Sequence, residues 1–265
     1  MGTAASPSID HLALTWRSID ELCTGLSEEE WKTSTGCPGW TVQDNLAHLV
    51  DYEAGALGRT RPDHTVPQLS HLKNALGESN EVGVDVRRTL GGQQVLEEFR
   101  EVVAERLAQL QALTAEDLTG EVPTPAGTGT LADMLTLRVM DTWSHEQDIR
   151  RALGRPGHED GPAAAEAIAY FAGFLPYVVG KKAGAADGST VVVEIGSAHR
   201  AAIEVVDGRA RPASGTVDAP TVALSVPVAT FAALAAGRTD APDDVVVSGD
   251  EALARAIVAN LGFMP

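Results

Sequence analysis

The chain has 265 residues, 44% of them hydrophobic and 22% charged, an ordinary balance for a soluble globular protein with room for one large core or two smaller ones. Its 37 acidic and 20 basic residues give a formal charge of -17, which repels phosphate backbones and anionic lipid surfaces alike. Nucleic acid and membranes are therefore not expected partners, and two cysteines, Cys23 and Cys37, are too few for a disulfide framework.

Residues 9–26 carry Leu12, Leu14, Trp16, Ile19, Leu22 and Leu26 at mostly helical spacing, which predicts an amphipathic helix. Ser27 with Glu30 has the form of a capping box and predicts a short helical turn. Gly36-Cys37-Pro38-Gly39-Trp40 breaks the chain, and Thr41 with Asp44 starts a second helix. Residues 57–92 have a weak pattern and read as a connection or flap, with a short helix possible over 82–90. Val95, Leu96, Phe99, Val102, Val103, Leu107, Leu110 and Leu113 give the cleanest helical period and a third helix. After a Pro/Gly/Thr-rich loop over 121–129, Thr130 and Asp133 cap a fourth helix that ends before Gly154-Arg155-Pro156.

Four long amphipathic segments joined by such loops predict an antiparallel four-helix bundle, with an alanine-rich fifth helix over 163–179. Beyond Gly184 the period shifts towards two. Residues 190–195, 201–206, 221–226 and 245–247 read as strands, Asp207-Gly208 as a hairpin turn, and 228–236 and 251–261 as helices. The fold class expected is α+β in two domains: a helical bundle over 1–183 and a small α+β domain over 184–265.

The fourth helix begins with a buried seam of Leu131, Met134 and Leu135, which continues at three- and four-residue steps into Arg138, Asp141, His145 and Asp148. Buried charges are costly unless paired or bound to a metal. Asp141 and His145 lie four apart on one face, a spacing that gives a divalent ion two ligands from one helix. His48, at the edge of the buried face of the second helix with Asn45 and Tyr52, is the candidate third ligand. Three protein ligands leave a position open, as in a catalytic metal site. The plainer reading is a solvent-facing stripe in which Arg138 pairs with Asp141 and Asp148 with Arg151.

The block from Cys37 through Pro38-Gly39-Trp40-Thr41-Val42 to Ala47-His48-Leu49, together with Asp141-Thr142-Trp143-Ser144-His145-Glu146-Gln147-Asp148-Ile149-Arg150, resembles the mycothiol-dependent maleylpyruvate isomerase family of the DinB-like metal-binding bundles. The tail segments Leu234-Ala235-Ala236-Gly237-Arg238 and Val247-Ser248-Gly249-Asp250 are similar to the small sterol-carrier-like domain that follows the bundle in that family. The resemblance implies a divalent metal, usually zinc, on His48, Asp141 and His145. Its acidic ligand is commonly Glu, and the Asp here reaches about one methylene less far, with Glu146 and Asp148 as substitutes.

The resemblance further implies mycothiol as thiol cosubstrate and a small, carboxylate-bearing electrophile as substrate. The reaction is then cis–trans isomerisation through thiol addition, or S-transfer. Trp143 and Tyr52, beside the ligands, are the candidate cosubstrate-binding side chains, while Trp40 reads as a packing group. A chain at -17 needs a local cation for an acidic substrate, which makes Arg238 the first candidate catalytic residue and Arg138 the second. Against the substrate role, Arg238 also suits a bond to carbonyls at the end of the preceding helix. Cys37 is a rival nucleophile, disfavoured by nearby Asp44. The alternative function is a non-catalytic metal- or ligand-binding protein of the same fold. Residues 1–6 lack the basic stretch and apolar run of a signal peptide, and the Ala-, Gly-, Val- and Asp-rich usage is bacterial in character. A cytoplasmic monomer or homodimer is expected.

Overall fold

The computed structural model describes residues 6–263 apart from 126, 198 and 240–242. They form two compact units, Met1–His158 and Glu159–Pro265.

In the first unit the elements run α1 (Pro7–Cys23), α2 (Glu28–Trp31), α3 (Val42–Ala56), α4 (Ala75–Arg87), α5 (Gly92–Gln111), α6 (Ala115–Thr119), β1 (Glu121–Thr124), β2 (Gly127–Thr130) and α7 (Leu131–Leu153). Capping explains where the helices begin. Thr41 Oγ1 accepts from the Asp44 amide while Asp44 Oδ2 accepts from the Thr41 amide, and Thr130 with Asp133 repeats the exchange at α7. Gly154, left-handed at φ 62°, ends α7 as only glycine does at little cost.

The four long helices α1, α3, α5 and α7 each touch two of the others, α1 with α5 and α7, α3 with α5 and α7. Between them lie Leu12, Trp16, Ile19, Leu46, Leu49, Leu96, Phe99, Leu135 and Val139, all buried. Each such side chain contributes about 1.5–3 kcal/mol by leaving water. Gly92 shows how tight the packing is: a Cβ there would lie 2.1 Å from Cγ of Trp31. Residues 121–129, expected as a loop, hold the antiparallel hairpin of β1 and β2.

The second unit contains α8 (Pro162–Ala172), α9 (Leu175–Tyr177), a π turn over Val178–Lys182, β3 (Thr190–Ile195), β4 (His199–Val206), β5 (Arg209–Pro212), β6 (Val222–Val226), α10 (Val228–Ala235), β7 (Val246–Gly249) and α11 (Glu251–Val258). The sheet order is β5-β4-β3-β6-β7, with β3 and β6 parallel and the other pairs antiparallel. Asp207 and Gly208 make the β4–β5 turn at φ 53° and 70°, the two positive values that a tight hairpin requires.

The expected boundary at 183/184 falls instead after His158. The reason is packing: α8, an apolar helix whose period alone names no neighbour, lies against β4 and α10. Pro162–Lys182 is the one stretch among the described residues long and apolar enough to cross a membrane. Its Ala163, Ala164, Ala167, Ile168, Phe171 and Leu175 side chains are buried, as in the core helix of a folded domain.

Candidate metal centre

The site lies where α3 meets α7. Leu46, Leu49 and Glu53 continue one buried face of α3, and Leu135, Arg138, Asp141 and His145 one face of α7, so two seams that start apolar both end in ionisable groups. His48 and His145 are 5% and 6% exposed, and one ligand atom from each, with one from Asp141, all lie within 4.8 Å of one another. His48 Nε2 is 3.3 Å from Asp141 Oδ2, and His145 Nε2 is 3.7 Å from Asp141 Oδ1. Two ligands about 2.0–2.1 Å from one tetrahedral zinc ion sit about 3.3–3.4 Å apart, so the donor set fits a divalent ion with little movement. The Asp141 side chain is the most exposed of the three at 27%, which puts the open side of the site at its carboxylate.

The imidazole of His145 is oriented by Asn45. The Asn45 amide nitrogen donates to Thr35 Oγ1 at 3.0 Å and to the Thr41 carbonyl at 2.9 Å, so its Oδ1 must face His145 Nδ1, 2.8 Å away. A flipped amide would set oxygen against the Thr41 carbonyl oxygen. His145 Nδ1 is therefore the N–H donor and Nε2 carries the lone pair, the tautomer that a ligand needs. Asp148 Oδ2, 3.6 Å from the same Nδ1, adds negative charge behind the ring.

Burial lowers the pKa of His48, which keeps its ring neutral and suited to a metal. For Asp141, burial works upward, yet the Arg138 guanidinium, followed by His48 and His145, holds the carboxyl well below the usual range. Arg138 Nη1 is 2.5 Å from Asp141 Oδ2, and Nε donates to Glu53 Oε1 at 3.0 Å. Nη2 lies 2.9 Å from the same Glu53 oxygen but off its N–H direction, so Nε carries that hydrogen bond. Arg106 supports Glu53 from the other side at 3.2 Å, and the Arg138 guanidinium stacks 3.5 Å above the Tyr52 ring. Burial acts against the Arg138 charge, but Glu53 and then Asp141 raise its pKa above the ordinary value.

Both pairs of the plainer reading exist, Arg138 with Asp141 and Asp148 with Arg151 at 3.7 Å, but they are not a solvated stripe. Arg138 and Asp148 are only 3% and 2% exposed. Glu146 is not a substitute ligand: fully buried, it receives Ser18 Oγ at 2.6 Å and Arg150 Nε at 2.7 Å and pairs with His158 Nδ1 at 2.7 Å.

The aromatic roles are exchanged relative to the sequence reading. Trp143 is completely buried and donates Nε1 to the His158 carbonyl at 2.8 Å, which makes it a packing residue and not a wall of the site. Trp40 is the ring against the ligands, its centroid 5.2 Å from that of His48 and 5.7 Å from that of His145. Tyr52 lies beside Arg138, with its hydroxyl on Met134 Sδ at 3.2 Å. Arg238 belongs to the second unit, where Nη1 donates to the Ala236 carbonyl at 2.9 Å just beyond α10.

Cys37 forms a second candidate group with His145 and Asp148, its sulfur within 4.8 Å of a donor atom of each. The Asn45 bond already occupies His145 Nδ1, and a carboxylate so close opposes a thiolate. Burial pushes the Cys23 thiol up to about 12, which removes it as a nucleophile. Sequence reasoning missed Glu53 and the contacts of Trp40. The three- and four-residue continuation from Leu46 and Leu49 points to Glu53, whereas no period places a side chain in a loop.

A helical unit with a two-histidine, one-carboxylate centre, followed by an α+β unit, defines a two-domain class of candidate metalloprotein. The chain matches the mycothiol maleylpyruvate isomerase N-terminal domain over residues 12–150 and the MDMPI C-terminal domain over residues 162–256. It belongs to the mycothiol maleylpyruvate isomerase family. Its fold is that of the crystal structure of the mycothiol-dependent maleylpyruvate isomerase, with a TM-score of 0.56 and 21% identity over 91% of this chain and 92% of that one. A histidine-to-alanine variant of that enzyme gives 0.53 over the same shares. Uncharacterized proteins from two Mycobacterium tuberculosis strains are 24% identical over 138 residues, 51% of this chain and 52% of theirs. The chain thus spans about half the length of the curated relatives that it matches.

Proposed function

We propose that this protein is a metal-dependent enzyme that uses mycothiol to act on a small electrophile, either as a maleylpyruvate isomerase-like cis–trans isomerase or as a mycothiol S-transferase. The observation that carries the reading is the convergence of His48, Asp141 and His145, with the His145 tautomer already set for a ligand. The helical unit is read as a DinB-like antiparallel bundle, working in the cytoplasm. A bound divalent ion, for which zinc suits the N and O donors, supplies the charge that keeps a thiol as thiolate near neutral pH.

The side chains of the chain divide the remaining work. Asn45 and Asp148 orient His145. Arg138 and Glu53 hold Asp141 in place of the longer glutamate. Trp40 and the ligands' burial keep bulk water from all but the Asp141 side, where the cosubstrate would approach beside Tyr52. A thiolate there would add to an electrophilic double bond to give a stabilised carbanion; single-bond rotation and expulsion of the thiolate would restore the alkene, whereas return of the proton lost by the thiol to that carbon would keep the adduct and make the protein a transferase. Arg138 is engaged by Glu53 and Asp141; Arg238 stays the proposed holder of the substrate carboxylate on the charge argument from the sequence alone. One observation favours the alternative, a non-catalytic metal- or ligand-binding protein: Arg138 already sits 2.5 Å from the Asp141 oxygen nearest His48. Turnover of maleylpyruvate, or conjugation of an electrophile, by zinc-loaded protein with and without mycothiol decides between them. Thiol-dependent product supports the enzyme, and a loaded protein that yields none rejects it.

A further inference from the structure

Trp40 does not hold its position over the two histidines alone. Its Nε1 donates at 2.8 Å to Oε2 of Glu81, a carboxylate on α4 with no exposed side-chain surface. The same oxygen is 3.2 Å from His71 Nε2, and Glu81 Oε1 is 2.5 Å from Arg88 Nη1. Arg88 in turn reaches Asp44 Oδ1 at 3.1 Å, and Asp44 is the capping acid of α3, next to Asn45. His71 lies on the backbone of Gly39, where a Cβ would stand 2.4 Å from its Nδ1; Gly39 is also left-handed at φ 78°. A buried carboxylate costs several kcal/mol unless fully bonded, and wedging an indole needs no charge at all. Here the charge joins the two features on which the ligand histidines depend: the indole over their rings and the first turn of the helix that carries Asn45 and His48.

We propose that Glu81 is a positioning residue of the ligand site, fixing Trp40 over His48 and His145 and, through Arg88 and Asp44, fixing the turn that presents Asn45 to His145. The inference rests on the metal reading of that site. Glutamine at this position keeps the volume and one acceptor, but it removes the charge that Arg88 answers and turns an amide N–H towards either Arg88 or the indole.

Cobalt(II) titration of the full chain, followed by its visible absorption and by competition with a chromophoric chelator, tests the role in wild type, Glu81→Gln, Trp40→Phe and the double variant. The expected result is a loss of about tenfold or more in cobalt affinity for each single variant, the size seen when partners of metal ligands are removed. The visible band should shift, and the double variant should bind no more weakly than the weaker single one. Trp40→Phe keeps an aromatic ring without the N–H, and it carries the test if Glu81→Gln does not fold. Wild-type affinity and spectrum in a folded Glu81→Gln variant, with only a lower unfolding temperature, overturn the proposal. Failure of the wild-type protein to bind cobalt overturns the metal reading itself, and this inference with it.

Discussion

Replacing Asn45 by alanine removes the acceptor that orients His145, and the structure sets the size of the effect. Asn45 is completely buried and makes hydrogen bonds to His145 at 2.8 Å, to Thr41 at 2.9 Å and to Thr35 at 3.0 Å. At about 0.5–1.5 kcal/mol net for each bond, the variant should lose about 1.5–4.5 kcal/mol of stability. Without a fixed acceptor the His145 ring can flip or change tautomer, and loss of such a partner lowers metal affinity by about 10–100-fold. That corresponds to about 1.4–2.8 kcal/mol. Asn45→Asp separates the two effects: it keeps an oxygen on Nδ1 but loses both donors to Thr35 and Thr41, so stability should fall while affinity stays within a few-fold of wild type. Chelator competition gives the affinities and urea denaturation the stabilities. Wild-type affinity in folded Asn45→Ala, or equal losses in the alanine and aspartate variants, refutes the tautomer argument.

Arg138→Met removes the buried cation between Glu53, which keeps Arg106, and Asp141, which keeps His48, and should cost about 3–5 kcal/mol of stability in urea denaturation. Saturating zinc should restore part of that, because the ion binds only the native chain. Cys37→Ala should retain most of the thiol-dependent turnover, since His145 Nδ1 is spent on Asn45; a folded, metal-loaded variant without turnover would make Cys37 the nucleophile. Arg238→Ala and Arg238→Lys should both lose at least tenfold in kcat/KM with unchanged metal content if this residue grips the substrate carboxylate. Near-normal kinetics with slightly lower stability would leave Arg238 a structural role that includes its bond to the Ala236 carbonyl.

Much of the site was legible because its residues lie on helices whose caps and period are written locally. Thr41 with Asp44 and Thr130 with Asp133 fixed the start of α3 and α7, and from there the four-residue step made Asp141 and His145 neighbours. The polar break in the α7 seam was also readable, because a buried charge asks for a partner. What local pattern does not carry is where a loop side chain goes and what lies opposite a helix face. The sequence favours Trp143 as the wall and Trp40 as the packing group, and only the fold reverses them, bonding Trp40 to Glu81 and Trp143 to the His158 carbonyl. The Glu81 cluster falls in a stretch whose weak period hid the extent of α4. The β1–β2 hairpin is built from Pro, Thr and Gly that read as loop, and β5 is an edge strand of Arg-Ala-Arg-Pro without apolar alternation.

His48, Asp141 and His145 are proposed to hold one divalent ion. Elemental analysis with zinc titration of purified wild type, His48→Ala and His145→Ala measures it most directly. The expected result is one ion per chain in wild type and none retained after dialysis in either variant. Folded wild-type protein that retains no ion, or the same single ion in all three proteins, would contradict it.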